Sequence, residues 1–404
     1  MTEAPGQNKK NQQSQEVRLL AKLERLTKAG SSEMGFVAEE LQHLYERELA
    51  SVDLNKASPE QKSRTIDILK KIGDVNKMVG RYENAMTFYD QVLKADPNSI
   101  ISADIHRTLG MRERDATNWS KANIHYTRSL EICTARHDDI GLADSHRGLG
   151  YVLWRRGDFD KALKEYAIAI EILKKAQSRT EQKTQAEEKL AIICTEEGNI
   201  LGELGNYEEA LESFREAQEV LTRYDNRWEI ARLHNNIGHI YVNMERFDDA
   251  QQEFEACVKL GQRLKEPRWL GWGNFNLAEI YGRKGDAAKA FAHIEEAKKH
   301  LTKLNDQVGL AKTHYTLGFA HMAAGDLVNA KKDFELAIKK CEDADMPSLV
   351  AYYSYQYGLS LHRAKENVQA AKFLKKALHL YKRLKAEGHV VRLENVLEKV
   401  QAGP

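Results

Sequence analysis

The chain has 404 residues, with 61 Lys+Arg against 60 Asp+Glu and a formal net charge of +1. That length buries a large core without disulfides or structural metals. The near-neutral balance gives no electrostatic basis for bulk binding to nucleic acid or a membrane surface. Charged residues at 30% and only 6 prolines suit long amphipathic helices rather than a sheet protein.

In chain order, residues 1–14 are polar, lack the apolar core of a signal peptide, and are expected to form a disordered tail. Residues 15–58 read as N-terminal capping helices, with Leu19, Leu20, Leu23 and Leu26 followed by a helical stripe of Val37, Leu41 and Leu44. Residues 59–384 carry an internal repeat. Its anchor is a small residue after an apolar one: Ile72-Gly73, Leu109-Gly110, Leu149-Gly150, Ile237-Gly238, Leu277-Ala278 and Leu317-Gly318, with weaker copies at Glu197-Gly198 and Tyr357-Gly358. Successive anchors are 37, 40, 48, 40, 40, 40 and 40 residues apart. The 48-residue interval places a longer insertion near 173–190. Leu393, Val396, Leu397 and Val400 mark a C-terminal capping helix in 385–404.

Each anchor is followed at twelve residues by an alanine: Ala85, Ala122, Ala162, Ala210, Ala250, Ala290, Ala330 and Ala370. At sixteen residues comes a large apolar or aromatic one: Tyr89, Tyr126, Tyr166, Phe214, Phe254, Ile294, Phe334 and Leu374. At seven residues Gly80, Gly157, Gly205, Gly285 and Gly325 recur, where a turn needs a left-handed residue. Small residues on facing helices permit close approach, and the large residue is expected to fill the space between one pair and the next. Pro59, Pro97, Pro267 and Pro347 precede first helices, and Ser58 with Gln61 resembles a capping box. One helix pair cannot bury its own apolar face, so the pairs must stack.

The runs Ile72-Gly73, Gly80, Tyr82, Ala85, Tyr89, Pro97 and Leu149-Gly150, Gly157, Phe159, Ala162, Tyr166, Ala169 resemble the tetratricopeptide repeat. The resemblance covers roughly residues 59–384. It departs from the family's unit of about 34 residues toward an extended subclass, similar to Pins-type polarity adaptors and peptide-sensing bacterial regulators. It implies an all-α, right-handed α-solenoid of about eight helix pairs, and it specifies function only by class.

Catalytic signatures are missing: there is no G-x-x-x-x-G-K-[ST], H-E-x-x-H or G-x-S-x-G. His106, His146, Cys194, His234 and His314 form a ladder four residues before the anchors. Equivalent positions in packed repeats lie about 10 Å apart, too far to share a zinc ion with ligands at about 2.0–2.3 Å, so the ladder reads as packing. The pairs Asp138-Asp139, Glu196-Glu197 and Asp248-Asp249 read as solvated caps. Cys133, Cys194, Cys257 and Cys341 stand singly, as thiols in a reducing compartment do. No apolar run approaches the roughly 20 residues that span a bilayer. The chain reads as cytoplasmic, not an enzyme, and without a cofactor or metal.

The resemblance implies a concave groove lined by first helices, at offsets of six and three before and one and four after each anchor. Early in the chain this stripe is charged: Asp67 and Lys70, Asp104 and Arg107, Asp144 and Arg147, with Arg114, Tyr151 and Trp154 alongside. Arg232 and Asn235 continue it. Later it is aromatic: Trp272, Phe275, Tyr315, Phe319, Tyr352 and Tyr355, which form either an exposed trough or interhelix packing. Arg107 and Arg147 suit a carboxylate or phosphate. The preferred reading is an adaptor or scaffold holding a peptide or helical segment of another protein, acidic and apolar in character, without membrane contact. The alternatives are a helical-repeat factor contacting RNA or the ribosome, and an architectural protein that self-associates into homo-oligomers.

Overall fold

A computed structural model describes residues 14–23, 34–50, 58–179, 182–301 and 307–402. Residues 1–13 of the expected tail, and Leu26, lie outside them. Every regular element among the described residues is a helix. Helix α1 (residues 14–23) and α2 (Met34–Ala50) precede eight pairs. These are α3 (Pro59–Met78) with α4 (Tyr82–Ala95), α5 (Ile100–Asp115) with α6 (Trp119–Arg136), α7 (Asp139–Arg155) with α8 (Phe159–Gln177), and α9 (Lys183–Leu204) with α10 (Tyr207–Arg223). They continue as α11 (Arg227–Asn243) with α12 (Phe247–Leu264), α13 (Pro267–Arg283) with α14 (Ala287–Leu301), α15 (Gln307–Ala323) with α16 (Leu327–Asp343), and α17 (Pro347–Arg363) with α18 (Asn367–Arg383). Helix α19 (Glu387–Ala402) ends the series. The all-α solenoid class is thereby established. The eight added residues of the long repeat lengthen α8 and α9 to 19 and 22 residues.

The chain divides into two compact units, Met1–Thr108 with Glu131–Asp138, and Leu109–Leu130 with Asp139–Pro404. In the first, Leu23, Val37, Leu41, Tyr45, Ile68, Ile72 and Val75 form one core. Ser58 caps α3 with the reciprocal Gln61 bond of a capping box, and Pro59 opens that helix. Lys70 bridges Asp74 and Asp104, at 2.7 and 3.0 Å, while Asp67 takes Lys71. These two members of the charged stripe are thus paired one turn away and, for Lys70, across repeats.

The repeat chemistry is a ring laid on a glycine. A methyl placed on Gly73 would lie 2.5 Å from the Tyr89 ring, on Gly150 2.5 Å from Tyr166, and on Gly238 2.4 Å from Phe254. The large residue thus packs first against the anchor of its own pair. Tyr126 also meets its successor, since a methyl on Gly148 would lie 2.4 Å from its ring. All eight alanines at the twelve-residue offset are fully buried. The turn residue seven beyond the anchor is left-handed in every copy, including Thr117, Glu245 and Lys365, which are not glycine.

The histidine ladder is consumed within each pair. His146 bonds Glu165 at 2.7 Å, His234 Glu253 at 2.6 Å and His314 Asp333 at 2.9 Å, each nineteen residues on. Between α13 and α14 the roles invert, with Asn274 bonded to His293 at 2.8 Å.

In the second unit the array closes on itself. One core cluster joins Trp119, Tyr126, Phe159 and Tyr166 from early helices to Phe334, Tyr357, Tyr381, Leu384 and Leu393 from late ones.

If the ring sets the helix spacing, Gly238→Ala destabilises the protein by about 1–3 kcal/mol through overpacking. Adding Phe254→Leu to that variant recovers most of the loss in urea unfolding. A neutral Gly238→Ala would show that the ring does not fix the spacing.

Candidate functional site: a polar cavity inside the second unit

The closed helices of the second unit surround a cavity of about 420 Å³. Of the residues assigned to the groove from sequence, Arg114, Arg147, Trp154, Arg232, Asn235, Trp272 and Tyr352 line it. Arg107 belongs to the first unit, where its guanidinium meets Asp104 at 3.2 Å and the Cys133 sulfur at 3.4 Å. Phe275, Tyr315 and Phe319 are 1%, 0% and 3% exposed, so they are core side chains rather than a trough. Tyr355 is half-buried and packs on the main core cluster.

The correction has a physical cause. Of the four groove offsets, only the one six before the anchor reaches the cavity in the late pairs, as at Trp272, Lys312 and Tyr352. The deeper offsets hold Phe275, Tyr315 and Phe319 themselves, and the last two pack on a buried ion cluster. Glu279 receives Arg283 at 2.7 Å, Lys312 at 2.6 Å and the Tyr315 hydroxyl at 2.9 Å. The same guanidinium reaches Gln356 at 3.1 Å and lies 4.2 Å above the Phe319 ring. Burial would push the Glu279 carboxyl up, but Lys312 and Arg283 outweigh it and hold it at about 2.

The cavity wall has its own ion cluster. Glu196, expected to be a solvated cap, is 0% exposed in mid-helix. It bonds Arg147 at 2.7 Å and lies 3.4 Å from Arg232, which in turn takes Glu229 at 2.5 Å. Burial disfavours the Glu196 carboxylate, and the two guanidiniums outweigh burial and lower its pKa. Arg147 therefore has an internal partner, and Asp144 pairs with Lys189 at 2.7 Å instead of with Arg147. Arg114 stacks 4.3 Å above Tyr151 in a cation–π contact. Burial raises the Glu203 pKa, and one of its oxygens accepts from the Trp154 indole at 3.0 Å.

Three buried donors on this wall, Arg232 Nη2, Asn236 Nδ2 and Trp269 Nε1, have no hydrogen-bond partner among the described residues. The same wall carries buried oxygens without a hydrogen-bond partner among the described residues: Glu196 Oε2, Glu203 Oε2 and the Ser348 and Tyr352 hydroxyls. Six cations line the cavity against four carboxylates. The unmet groups on the wall are thus of both kinds, within a lining that holds more cations than carboxylates. Asn236 and Trp269 escaped the sequence reading and Glu196 was read as a cap, although the column two before the anchors, Glu196, Asn236, Asn276, Thr316 and Gln356, is polar at every 40-residue step.

His389 lines the same cavity. It is 4% exposed, stacked 4.3 Å from Tyr381 and edge-on to Tyr207 at 5.9 Å. Burial, reinforced by the Arg392 guanidinium, pushes its imidazole down to about 4. Below pH 6.5 the unfolded chain gains a proton that the folded chain refuses until near pH 4. Stability therefore falls with pH across that window, by about 2 kcal/mol at pH 5. Replacing His389 with Gln makes the drop in melting temperature between pH 7 and pH 5 shallower. Equal slopes in the two proteins would refute the assignment.

Two sequence profiles of the tetratricopeptide repeat match the chain, one at residues 101–175 and 229–303, the other at 68–99 and 191–220. The Arabidopsis thaliana protein kinesin light chain-related 1 is 20% identical over 290 residues, 68% of this chain and 46% of that one. The Hsp70-Hsp90 organising protein of Plasmodium falciparum is 26% identical over 202 residues, 49% of this chain and 29% of that one. The chain thus spans less than half the length of either relative. Among solved structures, a Rap protein complexed with competence and sporulation factor has a TM-score of 0.63 at 18% identity, covering 93% of this chain and 99% of that one. A Rap conjugation gene regulator in complex with a Phr* peptide has a TM-score of 0.61 at 13% identity, covering 87% and 96%. At such identities the likeness is one of fold. Among the described residues no helix is long and apolar enough to cross a membrane. With its repeat profiles together spanning more than half the sequence, the chain belongs to the tetratricopeptide repeat family.

Proposed function

We propose that the protein is a non-catalytic adaptor whose second unit holds an extended, acidic segment of a partner protein in the central cavity. The observation that carries this reading is the set of unpaired donors. Arg232 Nη2, Asn236 Nδ2 and Trp269 Nε1 lie on one wall without acceptors. Leaving each unmet costs about 1–3 kcal/mol. A peptide supplies the missing groups of both kinds, since its main chain offers carbonyls to the donors and N–H groups to the unpartnered Glu196 and Glu203 oxygens, and its carboxylates suit the cationic excess. Asn235 accepts from Asn276 at 2.7 Å, which fixes the orientation of its side-chain amide. Trp154, Trp272 and Tyr352 add amphipathic surface of the kind that anchors bound segments. The Rap structures solved with a sporulation factor and with a Phr* peptide are consistent with such an occupant. Arg107 is left out of the proposed contact set, because it belongs to the other unit.

Selection from a displayed library of random linear peptides on the immobilised chain tests the reading. Enriched sequences should carry acidic residues and lose about tenfold in affinity, the worth of about 1.4 kcal/mol, on Asn236→Ala and on Trp269→Phe. Asn236→Ala removes the side-chain amide and Trp269→Phe the indole N–H, and an unchanged helical circular-dichroism spectrum checks that the helix pairs stay intact. No enrichment, or peptides indifferent to both substitutions, would overturn it.

A further inference from the structure

On several second helices an exposed charge is answered within the helix itself. Lys94 takes Asp90, Lys175 takes Glu171, Lys298 takes Glu295 and Lys299 takes Glu296. Helices α10 and α18 depart from this. Helix α18 is the one second helix without a carboxylate. Its residues Lys375, His379 and Arg383 are exposed, follow one another at intervals of four along one face, and make no ion pair among the described residues. Helix α10 carries the opposite pattern. Its Glu208, Glu212 and Glu216 are exposed at the same interval of four and are likewise without an ion pair among the described residues.

Like charges four residues apart destabilise a helix, so each stripe weakens the helix that carries it. The helix dipole accounts for the ends, since Glu208 lies in the first turn of α10 and Arg383 in the last turn of α18. It does not account for Glu212, Glu216 and Lys375, which lie in mid-helix. The cationic stripe also edges a groove of about 540 Å³ between α18 and the α16–α17 turn. Glu342 and Asp345 line that groove too, but Lys376 and Arg156 already hold them, at 2.7 and 3.4 Å. The groove therefore offers uncompensated positive charge with room for carboxylates beside it.

We propose that the two stripes meet between copies of the chain: α18 of one molecule docks antiparallel on α10 of the next, with Arg383 opposite Glu208, His379 opposite Glu212 and Lys375 opposite Glu216. The antiparallel sense sets the positive N-terminal end of α10 beside the negative C-terminal end of α18. A second copy is the occupant because the chain itself holds the complement of the cationic stripe at matching spacing. Within one molecule the ion pairs of these helices run elsewhere, from Arg223 to Glu187, Lys376 to Glu342 and Lys382 to Glu394. The contact is heterologous, so each one leaves an α10 face and an α18 face open and assembly continues to a ring or a filament. One helix laid on another falls short of the about 1,000 Å² that a stable interface buries, and exposed charges are screened beyond about 8 Å at physiological salt. Association is therefore reversible and salt-dependent. None of the six stripe residues lines the central cavity, so the inference stands apart from the cavity reading.

Sedimentation equilibrium of the full chain tests the contact. The weight-average mass should rise with concentration at about 20 mM salt and return to the monomer value at about 0.5 M, where screening is nearly complete. Two charge-reversed proteins then separate this contact from any other: Lys375→Glu with Arg383→Glu, and Glu212→Lys with Glu216→Lys. Each alone should associate about tenfold more weakly, because like charges now face each other across the contact. An equimolar mixture of the two should recover association, since each offers the stripe that the other lacks. The neutral pair Lys375→Gln, Arg383→Gln puts no acid near the end of α18 and should weaken association in the same direction, which guards against a folding defect in the reversed protein. A monomer at every concentration in low salt, association unchanged by either reversal, or a mixture that associates no better than its components would each overturn the contact. A monomeric chain that retains poly-L-glutamate, and loses it on reversal of Lys375 and Arg383, would assign the α18 stripe to an acidic partner in place of a second copy.

Discussion

Everything in this fold hangs on the fit of a large side chain over a residue with little or no side chain. Tyr89, Tyr126, Tyr166, Phe214, Phe254 and Phe334 each lie where a methyl on the anchor glycine would come within 2.9 Å of the ring. Dispersion falls off steeply with small gaps, so the contact sets helix separation narrowly in each pair. Repetition of one separation at near-constant spacing produces a regular curve. In the second unit the curve returns upon itself, and the cavity is what that closure leaves at the centre.

The pair fold was legible because its determinants are local. Offsets of seven, twelve and sixteen residues lie inside one helix–turn–helix, and the left-handed turn, the buried alanine and the ring all follow from them. The cavity was legible only in part. The stripe that carries Arg147, Trp154, Arg232 and Asn235 does face inward, because those helices present it directly to the open centre. The same arithmetic places Phe275, Tyr315 and Phe319 inward, yet they are core. Phe275 packs among Ala278, Ala290 and Ile294, while Tyr315 and Phe319 are covered by the Glu279–Arg283–Lys312 cluster, whose Glu279 and Lys312 stand 33 positions apart in different repeats and so are paired by no offset within one repeat.

Those ion clusters explain a choice of residue that helix packing alone leaves open. A buried ion pair is seldom stabilising against a well-packed apolar replacement. Glu279 and Glu196 are each fully enclosed and each answered by two cations. Their geometry fixes direction: each carboxylate orients long basic side chains that would otherwise swing through the interior. At Glu196 this holds Arg147 and Arg232 at the cavity wall and leaves one guanidinium nitrogen of Arg232 without a partner there.

Closure also changes how such a protein should unfold. An open solenoid is a chain of nearest-neighbour contacts whose stability adds along its length. A contact between Trp119 and Ala344, or between Gly205 and Gly388, adds a term that belongs to no single neighbour pair. It links the ends of the second unit and makes the loss of a late helix felt in an early one. The linkage works in both directions, since Leu384 and His389 line the cavity close to the Gly205–Gly388 contact. Gly157 and Gly205 are the sequence record of that coupling. At other turns the same backbone conformation is held by threonine, glutamate and lysine, so what glycine supplies at these two is room for the far end of the array.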